Sequence, residues 1–160
     1  MGSSSSFTVG LLHALHALKG FMPNKRQLAL EAIEIEQQKI NETVGSQDQV
    51  LAAYGGLNHV VFGQNGEISV HPVTVSMERM QELNSQLMLF YTGIERTASN
   101  IAETYVTDVD GKKSQLRIMK HLVEEGIAIL NRGKNINDFG ALLHEGWQVK
   151  RGLSAKVSNS

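Results

Sequence analysis

The sequence predicts an α+β fold. Helical spacing of apolar residues dominates its opening and closing thirds. Between them, period-two strands flank Asn65-Gly66, and a short unbroken apolar run spans residues 87–91. Segregated helices and strands of this kind build α+β layers rather than an alternating parallel sheet.

Phe7, Leu11, Leu15 and Leu18 mark a first helix over residues 7–18, with Gly20 as its C-terminal stop. Pro23 and Asn24 open a second helix running to about Ile40. A polar loop covers residues 41–47, and a short helix over 49–54 ends at Gly55-Gly56. His59-Val60-Val61-Phe62 and Glu67-Ile68-Ser69-Val70 read as a hairpin around the Asn-Gly turn. Leu87-Met88-Leu89-Phe90-Tyr91, closed by Thr92-Gly93, reads as a strand buried on both faces. Residues 98–106 form a candidate helix. Leu116, Met119, Val123, Ile127 and Leu130 mark a long amphipathic one, broken at Asn131, Gly133 and Asn135. Phe139, Leu142, Leu143 and Trp147 mark a last helix to about Leu153.

The 160 residues are 41% hydrophobic and 19% charged, with a formal net charge of -1. That balance suits a globular domain and gives no broad basic field for nucleic acid. Cysteine is absent, which excludes disulfides and thiolate metal sites. No apolar run approaches the roughly 20 residues that span a bilayer. The stretch 7–18 is interrupted by His13 and His16 and lacks a basic lead, so it is not a signal peptide. A cytoplasmic protein with neither a membrane nor a nucleic-acid partner is the expectation.

Few residues stand out as chemical. Gly2 and Ser3, Ser4, Ser5 and Ser6 run straight into a helix. A helix start leaves N–H groups unpaired and attracts anions; small residues admit a phosphate, and serine hydroxyls ligate Mg²⁺. The same run also reads as a simple cap, or as an expression tag. Glu36 is more informative. On a wheel with Glu31 at zero it falls at about 140°, inside the apolar arc of Leu28, Ala29, Ala32, Ile33, Ile35 and Ile40. A carboxylate there must be paired, protonated or bound to a metal; the plainer readings are a buried salt bridge with Arg26 or Lys25, or a helix end whose phase has drifted. Asp48, in the loop before the short helix, is either its N-cap or a base at a hydroxyl. His13 and His16 read as ordinary helix residues. Lys150 and Arg151 suit the end of the last helix, with phosphate binding as the alternative. Arg96 follows a strand-to-loop junction of the kind that holds sites.

Together these segments resemble the GHMP kinases. Residues 2–12, Gly-Ser-Ser-Ser-Ser-Phe-Thr-Val-Gly-Leu-Leu, are similar to the second signature of that superfamily, in the form used by its heptose-phosphate and fucose kinase branch. Gln47-Asp48-Gln49 with Ala53-Tyr54-Gly55-Gly56 resembles the loop carrying the family aspartate. Phe90-Tyr91-Thr92-Gly93 with Arg96, and Leu143-His144-Glu145 through Trp147 to Ser154, are also similar to that branch.

The resemblance implies ATP and Mg²⁺ as cofactors. Gly2 and Ser3–Ser6 would form the phosphate loop, Ser4 or Ser5 and Glu36 would hold the metal, and Asp48 would act on the sugar hydroxyl. Phosphoryl transfer rests on positioning and charge neutralisation, for which this set suffices. Thr92, Gly93, Arg96, Lys150 and Arg151 would be candidates for the substrate, most simply a heptose 7-phosphate phosphorylated at the anomeric carbon for nucleotide-sugar synthesis. A fucose- or galactose-type kinase, or a silent sugar- and ATP-binding protein, are the alternatives. The family's first and third signatures are not found. The resemblance therefore implies an internal piece of the fold: residues 1–84 from a ribosomal S5 domain 2-like N-terminal domain and 85–160 from a ferredoxin-like C-terminal one. Exposed apolar faces on the first two helices, poor stability and little activity of this chain alone are the corresponding expectations.

Overall fold

The computed structural model describes residues 2–91, 93, 109–131, 133 and 135–154. They form two compact units that divide between Val73 and Thr74.

The first unit packs three helices beside a hairpin. Helix α1 spans Ser3–Leu18, so Ser3–Ser6 are its first turn and not a loop ahead of it. Its end is a Schellman motif. Gly20 takes a left-handed φ of 73°, its N–H donates to the Ala17 carbonyl and the Phe21 N–H donates to the His16 carbonyl. The rings of His16 and Phe21 then meet at 5.2 Å, and His16 Nε2 sits 2.6 Å from Glu31 Oε2.

Helix α2, Lys25–Glu34, opens with a capping box. The Asn24 side chain accepts from the Gln27 N–H, and the Gln27 side chain accepts from the Asn24 N–H. The helix does not continue in α form to Ile40. It widens into a π turn at Ile35–Lys39, where the Ile40 N–H donates to the Ile35 carbonyl. The wider turn shifts the helical phase of the residues beyond it, which is why Ile40, expected in the apolar arc, is 58% exposed.

Helix α3, Gln47–Tyr54, is short because Gly55 and Gly56 both take positive φ. Val9, Leu28 and Ala32 form the core between α1, α2 and α3, with Leu12, Ala52 and Ala53 packed against it. Small side chains at 29, 32, 52 and 53 let these helices approach closely. Lys25 donates to the Tyr54 carbonyl at 2.6 Å, tying the start of α2 to the end of α3.

Strands β1, Asn58–Phe62, and β2, Ile68–Pro72, pair antiparallel with Val60 opposite Val70. Gly63 and Glu67 close the loop, the Gly66 N–H donates to the Gly63 carbonyl and Gly66 has φ 80°. The hairpin forms as expected, but through a three-residue loop in which only Gly66 is left-handed, not a two-residue Asn-Gly turn that would need Asn65 left-handed too.

The second unit begins with a helix that the sequence reading passes over: α4, Met77–Gln86, with Ser76 as N-cap accepting from the Arg79 N–H. A backbone N–H and the Ser76 hydroxyl hold the Glu78 carboxyl below its ordinary pKa. A 3₁₀ turn at Asp110–Lys112 leads into α5, Lys113–Asn131, and α6 spans Asn137–Arg151. The last two pack closely where Gly126 faces Phe139 and Gly146 faces Leu122. Arg79 donates to the Ile129 carbonyl and pairs with Glu82, joining α4 to the end of α5.

Two expectations are corrected. Leu87–Tyr91 is extended but is not a paired strand, and its side chains face solvent, with Tyr91 95% exposed. An isolated strand leaves its backbone groups to water, and no described segment lies alongside to bury it. The expected apolar exposure is found on α1, where Phe7, Leu11, Leu15 and Leu18 face outward. It is not found across α2, whose Leu28, Ala29 and Ala32 are buried. The helix expected at 98–106 lies outside the described residues. No described helix is long and apolar enough to cross a membrane.

The capping box predicts that Asn24→Ala removes about 1 kcal/mol from the unfolding free energy. Urea denaturation followed by far-ultraviolet circular dichroism measures it; a loss below a few tenths would mean that the box does not hold α2.

Candidate active site

The first unit gathers Gly2, Ser5, Glu36, Asp48 and Gln49 around the start of α1. Glu36 lies at the π turn and is 1% exposed, where its place on the helical wheel puts it. Its Oε2 accepts two hydrogen bonds, from Ser5 Oγ at 2.9 Å and from Gln49 Nε2 at 2.5 Å. Its other oxygen, Oε1, is buried and has no partner. Neither Lys25 nor Arg26 neutralises it, since Lys25 reaches Tyr54 instead. A carboxylate held only by neutral donors, with one oxygen bare, is a costly arrangement for a structural group. It is a natural one for a group that accepts a cation.

Asp48 is exposed and stands in the first turn of α3. It is not the N-cap, because the helix begins one residue earlier and Ser46 holds that position. Nor does the Ser46 hydroxyl cap α3; it accepts from Gln37 Nε2 at 3.1 Å. Gln37 also donates to the Val44 carbonyl, so residues 36 and 37 together fasten the loop that leads to Asp48.

Gly2 brings the aspartate to α1. It is the N-cap in left-handed conformation, with φ 57°. A Cβ added there would stand 3.3 Å from Asp48 Oδ2 and 3.5 Å from Asp48 Cβ. The two helix starts therefore adjoin, with the Asp48 carboxylate beside Gly2. No side chain caps α1 and no acidic residue occupies its first turn, so its N-terminal N–H groups remain available to an anion.

Of the serines, Ser5 is buried against Glu36, while Ser3, Ser4 and Ser6 are exposed. Ser5 spends its one hydroxyl proton on Glu36 and keeps oxygen lone pairs for another partner. Ser4 offers its carbonyl to Thr8 Oγ1 at 3.1 Å. Ser6 borders a cleft of about 370 Å³ shared with Gly10, His13, Lys25 and Ala53. No described group of three or more His, Asp or Glu residues is placed to hold a metal. A cation here would have one carboxylate oxygen and a hydroxyl from the protein and would take its other ligands elsewhere.

Sequence reasoning misses Gln49, which is 0% exposed. A signal is present: it falls in helical phase with Ala52 and Ala53, a polar residue on an apolar stripe. The candidate substrate residues do not join this cluster. Thr92 and Arg96 lie outside the described residues. Gly93 is exposed, with φ 68°. Lys150 and Arg151 end α6 in the second unit, where the Arg151 guanidinium stacks 4.6 Å over the Trp147 ring. A cleft of that unit, about 790 Å³, is lined by Ser76, Arg79, Glu82, Asn131 and Asn135 among others and contains none of the residues predicted from sequence.

Residues 1–56 match the family described as GHMP kinases N terminal domain. The match takes in about a third of the chain. The matched span contains every member of the cluster. Over 162 aligned positions the chain is 30% identical to D-glycero-alpha-D-manno-heptose 7-phosphate kinase of Campylobacter jejuni, covering 99% of this chain and 47% of that protein. The crystal structure of a D-glycero-D-manno-heptose 1-phosphate kinase from Bacteriodes thetaiotaomicron superposes with a TM-score of 0.76 at 26% identity, over 94% of this chain and 44% of that one. The chain thus has the α+β GHMP kinase fold over about half the length of these relatives.

Two stability changes are expected from this geometry. Gly2→Ala is strained by its φ and crowds Asp48, so it costs about 1 kcal/mol. Gly10→Ala, in mid-helix with open space around it, gains about 0.5 kcal/mol. Urea unfolding compares the pair, and equal effects would refute the close approach at Gly2. Glu36→Gln keeps both accepted hydrogen bonds through its carbonyl and removes a buried charge. Its unfolding free energy is expected to be unchanged or up to about 1 kcal/mol higher. A loss above about 2 kcal/mol would show that the charge itself holds the fold.

Proposed function

We propose that the protein is an ATP-dependent sugar kinase, phosphorylating a heptose 7-phosphate at its anomeric hydroxyl for nucleotide-sugar synthesis. The observation that carries this reading is the convergence of a bare buried carboxylate oxygen and an exposed aspartate on one uncapped, serine-rich helix start. Both relatives are named as heptose phosphate kinases, which supports the sugar class.

The first turn of α1, with Gly2 and Ser3–Ser6, binds the phosphates of ATP through its free N–H groups and hydroxyls. Only small residues occur there, so nothing keeps a phosphate from the backbone. The donor set suits Mg²⁺: a hard carboxylate oxygen without a partner and an adjacent hydroxyl, the remaining places falling to phosphate and water. Glu36 and Ser5 are the residues that would hold it, with Ser5 preferred to Ser4 because it alone touches Glu36. When bound, the ion supplies neutralisation of the charge spread over the phosphates. Asp48 orients the sugar hydroxyl and takes its proton, being exposed and fixed beside the phosphate-binding turn. Thr92, Gly93, Arg96, Lys150 and Arg151 are proposed to meet the phosphate already on the sugar. A cytoplasmic location, where ATP is supplied, fits this chemistry.

The test is ADP release with a panel of sugars and sugar phosphates, with Asp48→Ala and Glu36→Gln alongside. Turnover is expected with heptose 7-phosphate, falling about 10²- to 10⁴-fold in Asp48→Ala. Glu36→Gln should require far more Mg²⁺ to reach any rate. Binding of ATP and sugar without turnover would replace the kinase with a silent binder, and turnover on fucose or galactose alone would reassign the substrate.

A further inference from the structure

We infer that Gln49 is a positioning residue that sets which oxygen of Glu36 is presented to the cation; this rests on the kinase reading above. Glu36 has two oxygens and two neighbouring donors, and both donors choose the same oxygen. Ser5 and Gln49 approach Oε2 from different helices, α1 and α3, and so fix the rotation of the carboxylate and leave Oε1 bare. A buried side chain that accepted one bond on each oxygen would have no preferred oxygen to offer. Gln49 is fully enclosed, so water cannot replace its amide if it is lost.

Gln49 also comes directly after Asp48, in the first turn of the same helix. Asp48 faces outward beside Gly2 while Gln49 faces inward to Glu36. One helical turn therefore sets the distance between the carboxylate for the cation and the carboxylate for the hydroxyl. The amide acts at one remove, through Glu36, as ligand-orienting partners do at other metal sites. Gln49 Oε1 is itself buried without a partner, which leaves its amide group no second anchor and makes the bond to Glu36 its main constraint.

Mn²⁺ is the probe, because its free form gives an electron paramagnetic resonance signal that disappears on binding. Titrations of the full chain with Mn²⁺ in saturating ADP are compared with ADP binding in EDTA. Gln49→Met keeps the volume and removes the donor; it should weaken Mn²⁺ by at least about tenfold and leave metal-free ADP affinity unchanged. Gln49→Asn keeps a buried amide but withdraws it by one methylene, and it should show the same split if the Met variant fails to fold. Equal Mn²⁺ affinity in a folded variant, or parallel loss of metal-free ADP binding, would overturn the positioning role and leave the kinase reading standing. If the unaltered protein binds neither Mn²⁺ nor ADP, both fall together.

Discussion

The Glu36 carboxylate is the point on which the first unit turns. Three segments meet at it: the first turn of α1 through Ser5, the π turn after α2 through its own backbone, and the first turn of α3 through Gln49. Apolar packing of Val9, Leu28 and Ala32 holds the bodies of these helices together but does not dictate their rotation or register. Hydrogen bonds are directional and supply what burial lacks. The two bonds to Oε2 align the start of α1 with the start of α3, and Asp48 reaches Gly2 as a consequence.

The same group is where the local rules of folding are broken. A carboxylate on an apolar arc, a π turn within a helix, a left-handed N-cap and two buried unpartnered oxygens all fall within one small region. Elsewhere in the unit the helix and turn signals are ordinary ones: the Asn24 capping box, the Gly20 Schellman motif and the Gly66 turn. Violations concentrated in one place are what a site kept for chemistry rather than for stability is expected to show, which supports the proposed role of the cluster. The π turn has a specific part in this. It arises where Glu36 must stay buried while the chain beyond must leave the helix, and the wider turn accommodates both.

How much of this is legible in the sequence depends on whether a residue's role is local. Gly20, Asn24 and Asn65-Gly66 act within a few residues of themselves, and the sequence reads them correctly. Glu36 is legible because a helical wheel detects a charge in the wrong arc whatever its partners are. The same wheel misplaces Ile40, since an α-helical phase cannot foresee a π turn. Asp48 reads as a possible cap of α3, but the helix starts one residue earlier, at Gln47, and Ser46 takes the cap position with its hydroxyl turned to Gln37. Leu87–Tyr91 reads as a buried strand from composition, yet strand burial is a property of neighbours and none of the described residues supplies them. Helix α4 is the opposite error. Ser76 followed by Glu78, Met80 and Leu83 carries a cap and a helical period, and both are readable.

The reaction and the sugar rest on different parts of the chain. Every residue proposed to act on ATP, the cation or the hydroxyl lies between Gly2 and Gln49, inside the span matched by the kinase family. That short stretch closes on itself through α1, α2 and α3, so its geometry is set by its own sequence. The residues proposed for the sugar phosphate lie at 92–96 and 150–151, beyond that span, and depend on the wider likeness to the two heptose kinases. Phosphoryl transfer needs the same few charges whatever the acceptor. Acceptor choice is a difference in binding energy made by groups around the sugar. On the proposed reading, a change of sugar would leave the Glu36 cluster as it stands, whereas loss of the cluster would end transfer to any sugar.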